Sequence, residues 1–308
     1  MLTASNLEWQ TPARYLTDSQ SDHKLPSLAK EQAHPPRCGL LELARADSLD
    51  PDLLKKLVQS YPEDKIVVLK DSISIDIRCI SCLKDTVWLN SEVIAFFLEW
   101  WREKSGAGGG VYGTPLNHGT DPKCWFTNTY FFTELTKDGV YNYSNVRRWT
   151  SRMDMFQLDK MIIPINIVNQ HWCLAVINFR EKLTEVYDSM YCQRQEIHDH
   201  LRKWLRDEYQ ERHKAQLALG DWKINSQPRV PKQNNDYDCG VFMCLFAAYS
   251  SIDSPFNFTQ RDISLVRQYM VQIIYKAGEA MGYVNLQDSS SRLIRAAASP
   301  TRVTPTPT

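Results

Sequence analysis

The ten-residue run from Gly240 to Tyr249 constrains the fold of this chain more than any other stretch, because it contains no polar or charged side chain apart from the tyrosine hydroxyl. A helix that is apolar all round must be buried, either in the core of a large domain or in a membrane. The run is about half as long as a membrane-spanning helix needs to be. We therefore predict a helix that is buried on all sides in the core of a folded domain.

Cys239 lies directly before this run, at the end of a polar segment in which Asn234, Asn235 and Asp236 favour a turn. The first N–H groups of a helix are unpaired and carry a partial positive charge. Helix N-termini therefore favour the thiolate form of a cysteine, which is the nucleophile. A lone cysteine is more often a buried structural residue. The interpretation of Cys239 as a nucleophile thus needs support from the rest of the chain.

The overall composition excludes several classes of protein. The 308 residues carry 36 basic and 36 acidic side chains, so bulk charge does not predict a nucleic-acid or membrane-surface partner. The eight cysteines have no regular spacing, and no secretory signal is recognisable at the start of the sequence. We expect reduced thiols in a soluble nuclear or cytoplasmic protein.

Hydrophobic periodicity predicts an α+β domain over 46–283, with disordered segments at 1–45 and 284–308 and a glycine-rich surface loop at 105–119. The predicted strands form a central, mostly antiparallel sheet that is flanked by helices. A cap is expected at Ser91. Helices are predicted for 51–60, 88–102, 127–135, 143–151, 195–218, 240–249 and 260–280, and strands for 65–69, 73–77, 161–168, 172–179, 183–187 and 221–226.

Two polar residues at strand ends predict the partners that a cysteine nucleophile needs. His171 opens one predicted strand and Asp188 closes the next. If these strands are adjacent and antiparallel, the two side chains become neighbours at one edge of the sheet. His171 would then be the base and Asp188 the group that fixes its tautomer. Gln233, six residues before Cys239, has a side-chain amide that could stabilise an oxyanion, although a loop glutamine is usually only a surface residue.

These residues resemble the signature set of a known family. His171-Trp172, Tyr187-Asp188-Ser189 and Gln233 with Cys239-Gly240 are similar to the motifs of the ubiquitin-like-protein-specific cysteine proteases, the SUMO or sentrin-specific proteases. Further similarity lies in Trp88-Leu89-Asn90 and in two middle blocks, Arg148-Trp149-Thr150 and Ile163-Pro164-Ile165-Asn166. The resemblance extends over residues 70–275.

The resemblance implies a papain-like cysteine protease fold and a role for each matching residue. Cys239 would be the nucleophile, His171 the general base and Asp188 its orienting group, and Gln233 would form the oxyanion hole with the backbone N–H of Cys239. Trp88 and Trp172 would close a narrow tunnel over a Gly-Gly tail; for both tryptophans the alternative is ordinary core packing. The resemblance further implies a monomer that needs no metal or organic cofactor.

The implied activity is cleavage after the C-terminal Gly-Gly of a ubiquitin-like modifier, most simply SUMO, in lysine isopeptide bonds and also in the modifier's precursor. Ser91 stands where the family has a second acid, and Cys79 where an acid is common, which puts the substrate preference in doubt. The alternatives are action on ubiquitin or another modifier, acetyl transfer by the same Cys-His pair, and a protein that binds a modifier without cutting it.

Overall fold

A computed structural model describes residues 39–70, 72–105, 122–225 and 228–287, in which helices pack around a five-stranded central sheet and the first two strands form a separate two-stranded sheet. The strands are β1 (Ile66–Lys70), β2 (Ile73–Asp76), β3 (Cys124–Phe126), β4 (Lys160–Ile167), β5 (His171–Asn178), β6 (Leu183–Tyr187) and β7 (Lys223–Asn225). The helices are α1 (Leu40–Ala46), α2 (Leu53–Ser60), α3 (Ile77–Ile80), α4 (Ser91–Ser105), α5 (Phe131–Leu135), α6 (Gln195–His213), α7 (Cys239–Ser251) and α8 (Ile263–Ala280). In the described ranges no helix is both long enough and apolar enough to cross a bilayer.

The central sheet has the strand order β3-β4-β5-β6-β7. The ladders in its middle, β4 with β5 and β5 with β6, are antiparallel and long. The ladders at its two edges, β3 with β4 and β6 with β7, are parallel and only three residues long. The predicted α+β class with a mostly antiparallel sheet is therefore confirmed, with short parallel pairings that strand periodicity alone does not reveal.

Both faces of the sheet are covered by a hydrophobic core. Successive residues of a strand point to opposite faces. Alternate residues of β4 and β5 enter two different cores. One core also contains α6, and the other also contains α4, α7 and α8. The residues of β4 and β5 on the α6 side are Met161, Ile163, Ile165, Cys173, Ala175 and Ile177, and those on the α7 side are Ile162, Trp172, Leu174 and Val176.

Helix α7 is the centre of the second core. All of its residues from Cys239 to Ser251 are buried, which confirms the prediction of a helix covered on every side. It packs against β5 on one side and against α4 on the other. The first residue of this helix is Cys239, so the cysteine is held by a helix that is buried on all sides.

Two predicted helices in the aromatic middle of the chain are much shorter than expected. The helix predicted for 127–135 is reduced to α5, and the one predicted for 143–151 is a single 3₁₀ turn, Tyr143–Asn145. Asn128 and Asn142 each accept a hydrogen bond from the backbone N–H two residues later, at 2.9 and 3.0 Å. Asparagine in this arrangement offers the backbone an alternative to the helix, which periodicity does not register.

The predicted cap of α4 at Ser91 is also wrong. The Asn90 side chain accepts a hydrogen bond from the Val93 N–H at 2.9 Å, so Asn90 is the N-cap and Ser91 is the first helical residue. The Asn90 amide in turn donates to the carbonyl of Cys79 at 2.9 Å. Ser91 and Cys79, the two positions at which the chain departs from the family pattern, therefore both lie beside Asn90. The hydrogen bond at Cys79 is made by its backbone carbonyl and not by its thiol.

The described structure extends beyond both predicted domain limits. Leu40, Leu41 and Ala44 of α1 are buried in the core, so residues 40–45 are not disordered. This seven-residue helix was missed because it is short and has no side-chain cap at Gly39. At the other end Val284 is buried as well. Residues 1–38, 106–121 and 288–308, which hold most of the predicted disordered segments and the glycine-rich loop, lie outside the described residues.

Candidate active site

Cys239 is only 2% exposed and begins α7, as the sequence predicts. The preceding residue, Asp238, is buried too, and its side chain is fixed from three directions. One oxygen accepts from the Arg267 guanidinium at 2.7 Å, and the other accepts from the amides of Asn235 and Gln260 at 2.8 and 2.7 Å. These bonds fix the backbone that leads into the helix. The sulfur of Cys239 therefore lies at a rigid helix N-terminus.

His171 and Asp188 meet at the edge of the sheet next to α7. Leu174 of β5 pairs with Tyr187 of β6, which brings the start of one strand beside the end of the other. His171 Nε2 lies 2.9 Å from Asp188 Oδ1. The turn that leads into β5 is tight: the Gln170 N–H donates to the Ile167 carbonyl at 2.9 Å, and both central residues, Val168 and Asn169, have positive φ angles.

Asp188 is held by more than the histidine. Its Oδ1 also accepts from the Met190 N–H at 2.8 Å, and its Oδ2 accepts from Arg194 Nε at 3.2 Å. Burial raises the pKa of Asp188, but the bond to His171, the Met190 N–H and the Arg194 charge together hold it below its ordinary value. The carboxylate is therefore ionised at neutral pH.

The histidine is correspondingly held in its protonated form. Burial lowers the pKa of His171, but hydrogen bonds to Asp188 and to Cys239, with the charges of both, raise it to about 9 from 6.5. Because Nε2 faces Asp188, the other ring nitrogen, Nδ1, is the one available to the thiol. An imidazolium beside a cysteine favours the thiolate–imidazolium pair.

Gln233 lies in the loop before α7, where it is 3% exposed, and it contacts the residue after Asp188. Its backbone N–H donates to the Ser189 carbonyl at 3.1 Å, and its Oε1 accepts from the Ser189 hydroxyl at 2.5 Å. Its Nε2 donates to the Asn235 carbonyl at 2.6 Å. The amide nitrogen carries two hydrogens, and the Asn235 bond uses one of them.

The two tryptophans of the predicted tunnel differ in exposure. Trp88 is 46% exposed, whereas Trp172 is 5% exposed. They are linked through Leu89, since the Trp172 indole N–H donates to the Leu89 carbonyl at 3.3 Å. The Leu89 side chain also packs on Gly240, where a Cβ would lie only 2.9 Å from the Leu89 Cβ. The segment of Trp88 therefore packs against both Trp172 and the residue after Cys239.

Three residues near this site were not predicted from the sequence to have a role there: Arg194, Ser189 and Leu89. Ser189 and Leu89 stand inside motifs quoted above, which is a signal that could have identified them. Arg194 has no such signal, because it precedes a polar helix and looks like a solvated cation. In the described ranges, no cluster of three or more His, Cys, Asp or Glu side chains has the geometry of a metal site.

A buried cysteine at a helix N-terminus, beside a histidine that is fixed by a carboxylate, is the arrangement that cysteine peptidases use. Comparison with known proteins agrees with this class. The family model of the Ulp1 protease family, C-terminal catalytic domain, matches residues 87–280. The chain therefore belongs to the Ulp1 protease family, as the motifs indicate.

Individual relatives give the extent of the similarity. The sentrin-specific protease of Caenorhabditis elegans is 32% identical over 228 residues, which are 72% of this chain and 30% of that protein. Sentrin-specific protease 2 of Homo sapiens is 32% identical over 212 residues, 68% of this chain and 33% of that protein. The chain thus spans about a third of the length of these relatives.

A solved structure has the same fold. The C-terminal Ulp1 protease domain, in complex with Smt3, the yeast ortholog of SUMO, gives a TM-score of 0.60 at 26% identity. The match covers 75% of this chain and 97% of that domain.

Proposed function

We propose that this chain is a cysteine isopeptidase that cleaves after the C-terminal Gly-Gly of SUMO. The observation that carries the proposal is the buried arrangement in which the Asp188 carboxylate binds the His171 imidazole and Cys239 lies close enough to raise the pKa of that imidazole. Similarity to a protease domain that was solved in complex with a SUMO ortholog supports the choice of modifier. Activity on the modifier's precursor follows from the same chemistry.

The geometry supports a proposed role for each of these residues. The thiolate of Cys239 attacks the carbonyl carbon of the last glycine, and the oxygen becomes an oxyanion. Gln233 Nε2 and the backbone N–H of Cys239 stabilise that oxyanion. The His171 imidazolium then gives its proton to the lysine amine as the C–N bond breaks. Water hydrolyses the resulting thioester, with His171 as the base, and restores the thiol.

The tunnel explains why a Gly-Gly end would be required. We propose that the indoles of Trp88 and Trp172 flank a path to Cys239. The contacts of Leu89 with Trp172 and Gly240 support this, because they bring the segment of Trp88 next to both. A backbone without side chains can pass between two aromatic faces, whereas a Cβ adds width at the narrowest point. Trp88 is 46% exposed, which suits a residue that contacts a substrate.

A panel of electrophilic probes tests the proposal. Each probe is one modifier, SUMO, ubiquitin or another ubiquitin-like protein, with a reactive group after its Gly-Gly end. We expect the SUMO probe to form a covalent adduct at Cys239 and the ubiquitin probe to react at least tenfold more slowly. If the probe of ubiquitin or of another modifier reacts faster than the SUMO probe, SUMO is not the preferred substrate and the proposal is wrong on this point.

Two cysteine variants make the labelling specific. Cys239→Ser should remove the adduct and keep non-covalent SUMO binding. Cys192→Ser, which removes a half-buried thiol two residues before Arg194, should be labelled like the wild type. SUMO binding without any adduct in the wild type would favour the binding-only alternative, and an adduct with a mimic of acetyl-CoA would favour acetyl transfer.

We further propose that the protein acts in the nucleus or the cytoplasm. The seven cysteines in the described ranges are all free thiols, as a reducing compartment keeps them. Imaging of the tagged full-length protein in cells checks this, and a secreted or luminal signal would contradict it.

A further inference from the structure

The side-chain amide of Gln233 works in the proposed reaction only if its nitrogen, and not its oxygen, faces the developing oxyanion. The two ends of an amide have nearly the same shape but opposite hydrogen-bonding character. Turning the amide over would therefore replace a donor by an acceptor and repel the negative charge. Something must fix which end points where.

The two neighbours of this amide act differently: a carbonyl fixes which end of the amide faces it, and a hydroxyl, which can donate or accept, anchors the other end in place. The Asn235 carbonyl can only accept, so it holds Nε2 at 2.6 Å. The Ser189 hydroxyl donates to Oε1 at 2.5 Å, and the Ser189 carbonyl accepts from the Gln233 N–H at 3.1 Å. Ser189 is 1% exposed, so water does not replace its hydroxyl. In the flipped amide, two oxygens would face each other at Asn235.

Ser189 and Asn235 belong to different parts of the fold. Asn235 belongs to the same loop as Gln233 and can move with it. Ser189 directly follows Asp188, which accepts from His171 and the Met190 N–H. The end of β6 is therefore bonded both to the base and to the oxyanion donor, on two consecutive residues.

We propose that Ser189 is a positioning residue that anchors the Gln233 amide, whose orientation the Asn235 carbonyl sets, in its oxyanion-binding place. This inference rests on the proposed function and adds the residue that ties the oxyanion hole to the histidine–aspartate half of the site. Without the hydroxyl, Oε1 is buried with no donor, and the amide loses its bond to the sheet. One oxyanion-hole donor contributes on the order of 10²–10³ in kcat. Since Asn235 remains, Ser189→Ala loses a part of this, about tenfold.

The test compares two reactions of Cys239 that differ only in the oxyanion. The first is cleavage of SUMO–Gly-Gly joined to a fluorogenic amine, which passes through a tetrahedral oxyanion. The second is alkylation by iodoacetamide at saturated carbon, which forms none and is followed by mass spectrometry of the Cys239 peptide. We expect Ser189→Ala to lower kcat about tenfold with KM unchanged, and to leave the alkylation rate within twofold of the wild type.

Matched variants separate positioning from loss of stability. Ser251→Ala removes another buried serine hydroxyl, which accepts from Trp101 and donates to Ala248 far from the site, so it should keep the wild-type kcat. Ser189→Cys keeps the size of the side chain but donates only weakly, and should lower kcat in the same direction. It carries the test if the alanine variant is insoluble.

A double variant decides the inference. Gln233→Ala alone should lower kcat about 10²-fold, and adding Ser189→Ala should change it no further, because there is no amide left to position. An additive loss, or equal losses in cleavage and alkylation, would overturn the role of Ser189. So would wild-type kcat in both Ser189 variants. A wild type that neither cleaves nor is labelled by the SUMO probe would overturn the proposed function and, with it, this inference.

Discussion

Replacing Asp188 by Asn removes one negative charge and one acceptor from a carboxylate whose partners are all known. Oδ1 faces His171 Nε2 and the Met190 N–H, and Oδ2 faces Arg194 Nε. An amide has one accepting oxygen and an NH₂ group that only donates. In either orientation, Asn places that NH₂ group against at least one N–H donor. It cannot hold the imidazolium as the carboxylate does.

The size of the effect follows from the histidine. Burial lowers the pKa of His171, whereas Asp188 and Cys239 raise it to about 9, above its ordinary 6.5. At 1.36 kcal/mol per pKa unit, this difference corresponds to about 3 kcal/mol in favour of the imidazolium, shared between the two partners. Losing most of it predicts a kcat/KM about 100-fold lower at neutral pH. In serine proteases the same change at the orienting aspartate lowers kcat about 10⁴-fold. The loss expected here is smaller, because a thiol needs less help from its base.

The assay is cleavage of SUMO–Gly-Gly joined to a fluorogenic amine, measured from about pH 5.5 to about pH 10, which is about one unit beyond each of the two histidine pKa values, 6.5 and about 9. In Asp188→Asn the alkaline limb should move to lower pH, because the variant loses the group that keeps the proton on His171. Asp199→Asn, which changes an exposed carboxylate on α6, is the matched control and should have no effect. If Asp188→Asn keeps more than half of the wild-type kcat/KM, or if the limb does not move, the proposed histidine–aspartate pairing is wrong.

Three further outcomes are expected. Cys239→Ser should abolish turnover while calorimetry still detects SUMO binding, and near-normal cleavage would exclude Cys239 as the nucleophile. In the wild type, kcat/KM should fall as the pH rises through about 9, because His171 then loses the proton that the leaving amine needs; a flat profile to pH 10, about one unit higher, would contradict this. Trp172→Ala should cripple cleavage, and Trp88→Ala should weaken it and relax the preference for Gly-Gly over Gly-Ala ends. Equal wild-type kcat/KM values on the two ends would refute the tunnel.

The parts of the site that lie on regular structure could be predicted from the sequence. An apolar run without a break can only be a buried helix, so the position of Cys239 at its start follows. His171 and Asp188 lie at the ends of apolar segments of strand length with a short connection, so antiparallel pairing brings them together. For the helix start and for the two strand ends, the local sequence pattern is enough to place the residue beside its partner.

The remaining parts depend on contacts between segments that are distant in sequence. Trp172 and Leu89 are in contact although nothing in either segment requires it. Arg194 bonds Asp188 from an irregular stretch before α6, where neither periodicity nor a turn motif fixes the direction of a side chain. The short helix α1 was missed for the opposite reason, since it is stabilised by burial against α7 and α8 and not by its own sequence.

Arg267 of α8 shows how a helix without a role in the chemistry determines the geometry of the site. Its guanidinium is 2% exposed and donates to Asp238, directly before Cys239, and to the carbonyl of Val87, directly before Trp88, at 2.7 and 2.9 Å. Removing the carboxylate partner of a buried cation lowers the stability of a protein by about 3–5 kcal/mol. The carbonyl groups around Arg267 carry no full charge and do not make up for that loss. The two segments are therefore held at a fixed distance by one side chain. The spacing between the proposed nucleophile and the proposed tunnel thus depends on α8, which lies outside both.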